Sequence, residues 1–149
     1  MAQPRSVLEV DWLFFGELCK GLAAKVKMAE YEPDLVVGIA RAGVVPGAVV
    51  ASILGVEFAS ITLKRSREGE EPSLISRPTQ SPNDRRVLLV DGTCESGSTM
   101  RLALSVMREE EAAEVKTAVA IRTGPYQVDF EAFYNPSRVV LPWDPRTDG

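Results

Sequence analysis

The sequence predicts an α/β fold, a central and mostly parallel sheet flanked by helices. Three observations predict it. The short apolar runs at 35–39 and 87–90 have the unbroken character of strands buried on both faces, and 115–121 reads as a further strand. Segments with apolar residues at helical spacing lie between them. No repeat or composition shift divides the 149 residues, a length that suits one domain with a real core. The expected unit is therefore a single domain over residues 1–149, with ligands at the C-terminal ends of its strands.

Asp11 is placed to cap a first helix, on which Trp12, Phe15, Cys19, Leu22 and Val26 recur at helical spacing. Gly16 and Gly21 weaken that helix, so packing must hold it. After Pro33 comes the strand 35–39, then the tight junction Arg41-Ala42-Gly43. A small-residue helix is expected over 44–54, with Pro46 tolerated in its first turn and Gly55 closing it. A second strand is expected over 56–63. Residues 64–86 are charged and rich in Pro and Ser, and are expected to form a long flexible loop with a short hairpin around Leu74-Ile75. A third strand at 87–90, a loop at 91–96 and a helix from Gly97 to Arg108 follow, with Met100, Leu104 and Met107 on one helix face. Glu109, Glu110 and Glu111 end that helix against its dipole. A fourth strand is expected at 115–121 and a short fifth at 139–141.

Composition narrows the chemistry. A net charge of −4 without a basic block gives no footprint for a nucleic-acid surface. No apolar run is long enough to span a bilayer, and the first residues lack the apolar core of a signal peptide. Two cysteines, Cys19 and Cys94, do not make a disulfide framework, and a cytoplasmic chain with reduced thiols is expected. With no histidine, proton transfer must use carboxylates, Lys, Tyr, Cys or substrate groups.

The segment VLLVDGTCESGSTM carries the clearest chemical signal. A buried strand ends in Asp91, glycines and small hydroxyls follow, and a helix begins. N–H groups at a helix start lack intrahelical partners, and with Ser96, Ser98 and Thr99 they form a compact phosphate cradle. Asp91 sits too near such a phosphate to bind it and is suited to accept hydrogen bonds from vicinal sugar hydroxyls. One loop can therefore hold both ends of a ribose 5-phosphate. The plainer reading is an acid and a helix cap at a strand end. No Gly-Lys-Ser/Thr follows, so this is not a Walker A loop.

This segment resembles the signature of type I phosphoribosyltransferases, which bind 5-phosphoribosyl 1-diphosphate (PRPP). DLVVGIARAGVVPGAVVASILGV resembles the family's strand, pyrophosphate loop and following helix, and RVVLPWD resembles a C-terminal segment of bacterial and archaeal purine members. The resemblance implies the family fold, with a small hood made by the chain ends. It implies transfer of ribose 5-phosphate from PRPP to a nucleobase, 6-oxopurine favoured, with Mg²⁺ and release of pyrophosphate. A homodimer is implied as well.

Carried over residue by residue, the resemblance gives Asp91 the ribose hydroxyls and the loop Asp91, Gly92, Thr93, Cys94, Glu95, Ser96, Gly97, Ser98 and Thr99 the phosphoribose. Glu95 stands where 6-oxopurine enzymes keep an acid for the proton on the ring nitrogen. Gly92 stands where the second acid of the pair is usual. Arg41, Ala42 and Gly43 match the pyrophosphate loop, which often contains a non-proline cis bond, and Lys64, with Arg65 beside it, is placed to meet pyrophosphate. The segment 64–86 would then be the family's lid. Arg122 falls on the position that reads the 6-oxo group, Arg138 on that of the base-stacking aromatic, and the Val139 backbone at the purine edge. Asp91 and Asp144 are the carboxylates offered to the metal. The departures at Gly92, Ala42 and Arg138 favour an alternative, a non-catalytic or weakly active PRPP- or nucleotide-binding regulator on the same fold.

Overall fold

A computed structural model describes residues 6–65 and 70–145. In chain order the elements are β1 (Val7–Glu9), α1 (Trp12–Met28), β2 (Leu35–Ala40), α2 (Val44–Leu54), β3 (Glu57–Lys64), β4 (Ser73–Ser76), β5 (Arg86–Cys94), α3 (Ser98–Glu109), β6 (Glu114–Arg122), β7 (Phe130–Tyr134) and β8 (Arg138–Val140). Six strands form one sheet in the order β4-β3-β2-β5-β6-β7, parallel except for β4. The chain ends add a separate parallel pair, β1 with β8. This is the expected mostly parallel sheet with a small hood.

Strand β2 and the 87–90 stretch of β5 are apolar at nearly every position because both faces are covered. Leu35, Val37, Ile39, Val87 and Leu89 pack under Met100, Ala103, Val106 and Met107 of α3. Val36, Leu88 and Val90 pack on the opposite face against Leu22, Ala23 and Val26 of α1 and Val50 and Ala51 of α2. Each such side chain contributes roughly 1.5–3 kcal/mol on burial, which places the strongest stabilisation at the centre of the sheet. A third cluster, including Val10, Phe15, Leu18, Ile121 and Leu141, joins the hood to the sheet.

The predicted caps are present. Asp11 accepts from the Phe14 N–H at 2.8 Å, and Gly55 ends α2 with φ +72°. Trp12 departs from its expected buried face. It is 60% exposed and rests beside Trp143, with ring centroids 5.9 Å apart. Two strands, β1 and β7, lie outside the expected set, and β5 runs to Cys94 where a loop from Asp91 is expected. The reason is β6, which keeps pairing: Thr93 stands opposite Ile121 and Cys94 opposite Arg122.

Within 64–86, expected as a long flexible loop, Ser73–Ser76 form a strand and most of the rest has no regular structure; residues 66–69 lie outside the described residues. The expected hairpin exists as β4 against β3. Beyond it, Thr79 and Ser60 exchange two hydrogen bonds of 3.0 Å, so this stretch continues as an edge along the sheet. It also relieves the acidic end of α3: Arg77 reaches Glu109 and Glu110 at 3.5 and 3.2 Å, and Asn83 reaches Glu111.

Candidate functional site

The C-terminal edge of the sheet brings together the ends of β2, β3 and β5. From β5 the chain passes Glu95 and Ser96 to Gly97, whose φ of +83° sets the sharp entry into α3. A side chain at Gly97 would also collide with the Tyr126 ring, 2.2 Å from the position of a Cβ. Glycine is therefore required by conformation and by space. Ser96 Oγ lies 3.3 Å from Ser98 Oγ and accepts from the Ser98 N–H at 3.4 Å. Arg101 donates to the Ser96 carbonyl at 3.1 Å and stacks over Tyr126 at 5.3 Å. The outcome is a small cavity of about 200 Å³ lined by Arg65, Asp91 and residues 93–100. It brings together Asp91, Thr93, Cys94, Glu95, Ser96, Gly97, Ser98 and Thr99, all expected at the phosphoribose.

Asp91 is the buried carboxylate of its lining. It is 2% exposed, and its Oδ1 accepts from Arg65 Nη2 at 2.7 Å and from the Gly92 N–H at 2.8 Å. Burial pushes the Asp91 carboxyl up, while the Arg65 guanidinium and the Gly92 N–H pull it back down. Beside it, burial pushes the Cys94 thiol up to about 11, so a thiolate nucleophile is not on offer.

Across the edge lies the Arg41-Ala42-Gly43 turn. The Ala40–Arg41 peptide is cis, where the resemblance places such a bond. Gly43 is pressed onto the sheet: a Cβ there would stand 2.3 Å from the Val90 carbonyl oxygen. Ala42 is tolerated because it is not among the residues with positive φ. Its methyl and carbonyl oxygen face Gly92, where a Cβ would lie 3.1 and 3.0 Å from them. The position that lacks the second acid is thus already walled by the pyrophosphate-type loop. A larger cavity of about 710 Å³ opens here, lined by Arg41, Ala42, Thr62, Arg65, Trp143 and Asp144 among others.

Lys64, expected at the pyrophosphate, stands apart from both cavities. It is exposed, pairs in register with Ser73 and lines neither cavity, whereas the next residue, Arg65, lines both. The expected base-reading residues are not gathered at either cavity. Arg122 donates to Glu131 at 2.7 Å and to the Gly124 carbonyl at 2.6 Å, and stacks on Tyr134 at 4.5 Å. Arg138 and Val139 belong to the hood strand opposite Val7 and Leu8, with Arg138 exposed. Sequence reasoning missed Tyr126 and Arg101, which shape the cradle. Arg101 follows Ser98 by three residues, one helical turn, and that spacing is the signal that could have found it.

Magnesium finds no protein cage. Among the described residues no three His, Cys, Asp or Glu side chains converge. Asp91 is held by Arg65, and Asp144 accepts from the Leu141 N–H at 2.8 Å. Magnesium is commonly bound through one or two carboxylates plus substrate phosphates. The donors here fit an ion arriving on a diphosphate and do not fit a resident one.

Known proteins agree with this architecture. The family model for the phosphoribosyl transferase domain matches residues 11–136, and the chain belongs to that family. It is 34% identical over 128 residues to the transcriptional regulator GfcR of Halobacterium salinarum, covering 78% of this chain and 60% of that protein. It is 32% identical over 107 residues to an orotate phosphoribosyltransferase of Enterococcus faecalis, covering 72% of this chain and 49% of that enzyme. The chain thus spans between half and about 60% of these relatives. The solved purine phosphoribosyltransferase of Pyrococcus horikoshii superposes with a TM-score of 0.85 at 26% identity over 95% of both chains. No helix among the described residues is long and apolar enough to cross a membrane.

Proposed function

We propose that this protein transfers ribose 5-phosphate from PRPP to a nucleobase, 6-oxopurine favoured, and releases pyrophosphate. The observation that carries the reading is the pairing of two loops at one sheet edge: the hydroxyl-rich cradle at 96–99, and the Arg41-Ala42-Gly43 turn packed against Gly92. N–H groups at the start of α3 and the hydroxyls of Ser96, Ser98 and Thr99 hold the 5-phosphate. Asp91 accepts from the ribose hydroxyls. Arg41 and Arg65 line the space for the diphosphate, where positive charge stabilises the departing group. Glu95, on the rim of the cradle, takes the proton of the incoming base. Magnesium arrives with PRPP and supplies charge neutralisation on the leaving diphosphate. The 26% identity to a purine enzyme over nearly the whole of both chains supports a purine. Val49 and Ile53 of α2, 37% and 39% exposed, support a homodimer through that helix.

Incubation with PRPP, Mg²⁺ and a panel of hypoxanthine, guanine, xanthine, adenine and orotate tests this. Pyrophosphate and a nucleoside monophosphate are expected with a 6-oxopurine, and Glu95→Gln is expected to lower turnover by 10²–10⁴-fold, on the order typical of a lost acid–base group. Turnover with orotate alone would replace the base, and no turnover with any base would sink the enzyme reading.

A second reading is a PRPP- or nucleotide-binding regulator with little or no catalysis. It is favoured by Gly92 in place of the second acid, by the engagement of Arg122 with Glu131 and Gly124, and by the likeness to a transcriptional regulator. Saturable PRPP binding without turnover would select it.

A further inference from the structure

Asp91 and Arg65 create a conflict that the phosphoribose reading has to resolve. One oxygen of the carboxylate meant for the sugar hydroxyls is already engaged. Its Oδ1 holds Arg65 Nη2 at 2.7 Å, and the Asp91 side chain is 3% exposed against 42% for Arg65. Neutral hydroxyl donors are poor replacements for a guanidinium here, because breaking a buried pair leaves a charge uncompensated. A sugar phosphate that only fills the cradle therefore meets an Asp91 whose Oδ1 is held by Arg65.

Arg65 has somewhere else to go. It lines the small cavity that contains Asp91, and it also lines the larger cavity beside Arg41, Ala42 and Thr62. Its partly exposed side chain lies between the two. An anionic group in the larger cavity offers the guanidinium a second partner, with bidentate geometry if that group is a phosphate. Such an anion exchanges one charge-assisted contact for another and leaves Asp91 open.

We propose that Arg65 is a specificity-determining latch, which keeps Oδ1 of Asp91 from sugar hydroxyls until a diphosphate in the neighbouring cavity draws it away. This rests on the phosphoribose reading of the cradle. The latch makes the two cavities cooperative: a ligand carrying phosphate at both ends opens the sugar site, and one with a single phosphate does not. The coupling is a property of the two-state side chain, since each ligand biases the same equilibrium.

Calorimetric titration of the whole chain with ribose 5-phosphate tests it, with and without saturating inorganic diphosphate and Mg²⁺, and with Mg²⁺ alone as control. In the wild-type protein diphosphate is expected to tighten ribose 5-phosphate binding by roughly 5- to 150-fold, the usual range for coupled sites. In Arg65→Met, which keeps the length of the stem and removes the donors, ribose 5-phosphate should bind tightly without diphosphate, and the coupling should fall to about one. Arg65→Lys should show intermediate coupling and carries the same conclusion where the Met variant does not fold. Ribose 5-phosphate binding without coupling in the wild type, or with coupling that survives in both variants, overturns the latch while leaving the phosphoribose reading intact. Absence of heat with PRPP and ribose 5-phosphate in every protein overturns both.

Discussion

At the start of β5, Arg86 meets Asp34; near the other end of the same strand, Asp91 meets Arg65. Both are Asp–Arg pairs, yet they behave oppositely. Asp34 is exposed and accepts from the Arg86 N–H at 2.9 Å and from its guanidinium at 3.4 Å. Those hydrogen bonds, the backbone one foremost, hold its carboxyl below the usual range. Asp91 is buried, and burial outweighs its partner and raises it. A pair in water costs little to keep and does little. A buried carboxylate is costly unless something polar needs it. The contrast separates an end that closes the fold from the end where the proposed ligand site lies. Tyr31, whose hydroxyl donates to the Val87 carbonyl oxygen at 2.7 Å, belongs to the first end and ties the connection after α1 to the strand.

Substitutions at the two ends should keep that distinction. The largest effect is expected from Gly97→Ala at the ligand end. It meets both a positive φ and the Tyr126 ring, and should destabilise by about 2–5 kcal/mol, combining left-handed strain with overpacking. Urea denaturation measures this, and an unchanged midpoint would show that Tyr126 does not support the cradle. Next comes Gly92→Asp, which restores the missing acid into space walled by Ala42. Alone it should cost about 1–3 kcal/mol of stability through overpacking. Paired with Ala42→Gly, part of that loss should return, and PRPP should bind more tightly than in wild type. Tighter binding by Gly92→Asp alone would mean that the loop yields readily. The smallest effect is expected from Asp34→Asn. The folded-state carboxyl of Asp34 lies below its unfolded value, so its contribution is present above the unfolded range and is lost as pH falls through the folded one. Wild type and variant should differ slightly in urea midpoint at pH 7 and converge in acid, with PRPP affinity unchanged. Altered PRPP affinity would break the division between the two ends.

Much of the sheet edge was legible from residue type and spacing. The strands at 35–39 and 87–90 are apolar without alternation, which only burial on both faces explains, and Asp11, Gly55 and Gly97 mark helix ends by chemistry that needs no tertiary partner. What was not legible depends on pairing across the chain. β1, β7 and the extension of β5 exist because β8 and β6 lie alongside them, and FEAFY carries too little periodicity to announce a strand. The edge run beyond β4 read as flexible because its Pro and Ser residues hide hydrogen bonds to β3. At the site, local residues such as Ser96 and Ser98 were visible in the motif. Arg65 was separable from Lys64 only once the strand set which of the two reached the cavities. Trp12 keeps helical spacing but stays largely exposed, resting beside Trp143.

The central claim, that the loop between β5 and α3 holds a phosphorylated ribose, is tested most directly by titrating PRPP with Mg²⁺ into wild type and Ser98→Asp. An acid in the first turn of α3 favours the helix dipole, so the fold should be kept while a phosphate is repelled. One saturable site in the wild type that vanishes in Ser98→Asp is the result this account predicts. Equal affinity in the two proteins would contradict it.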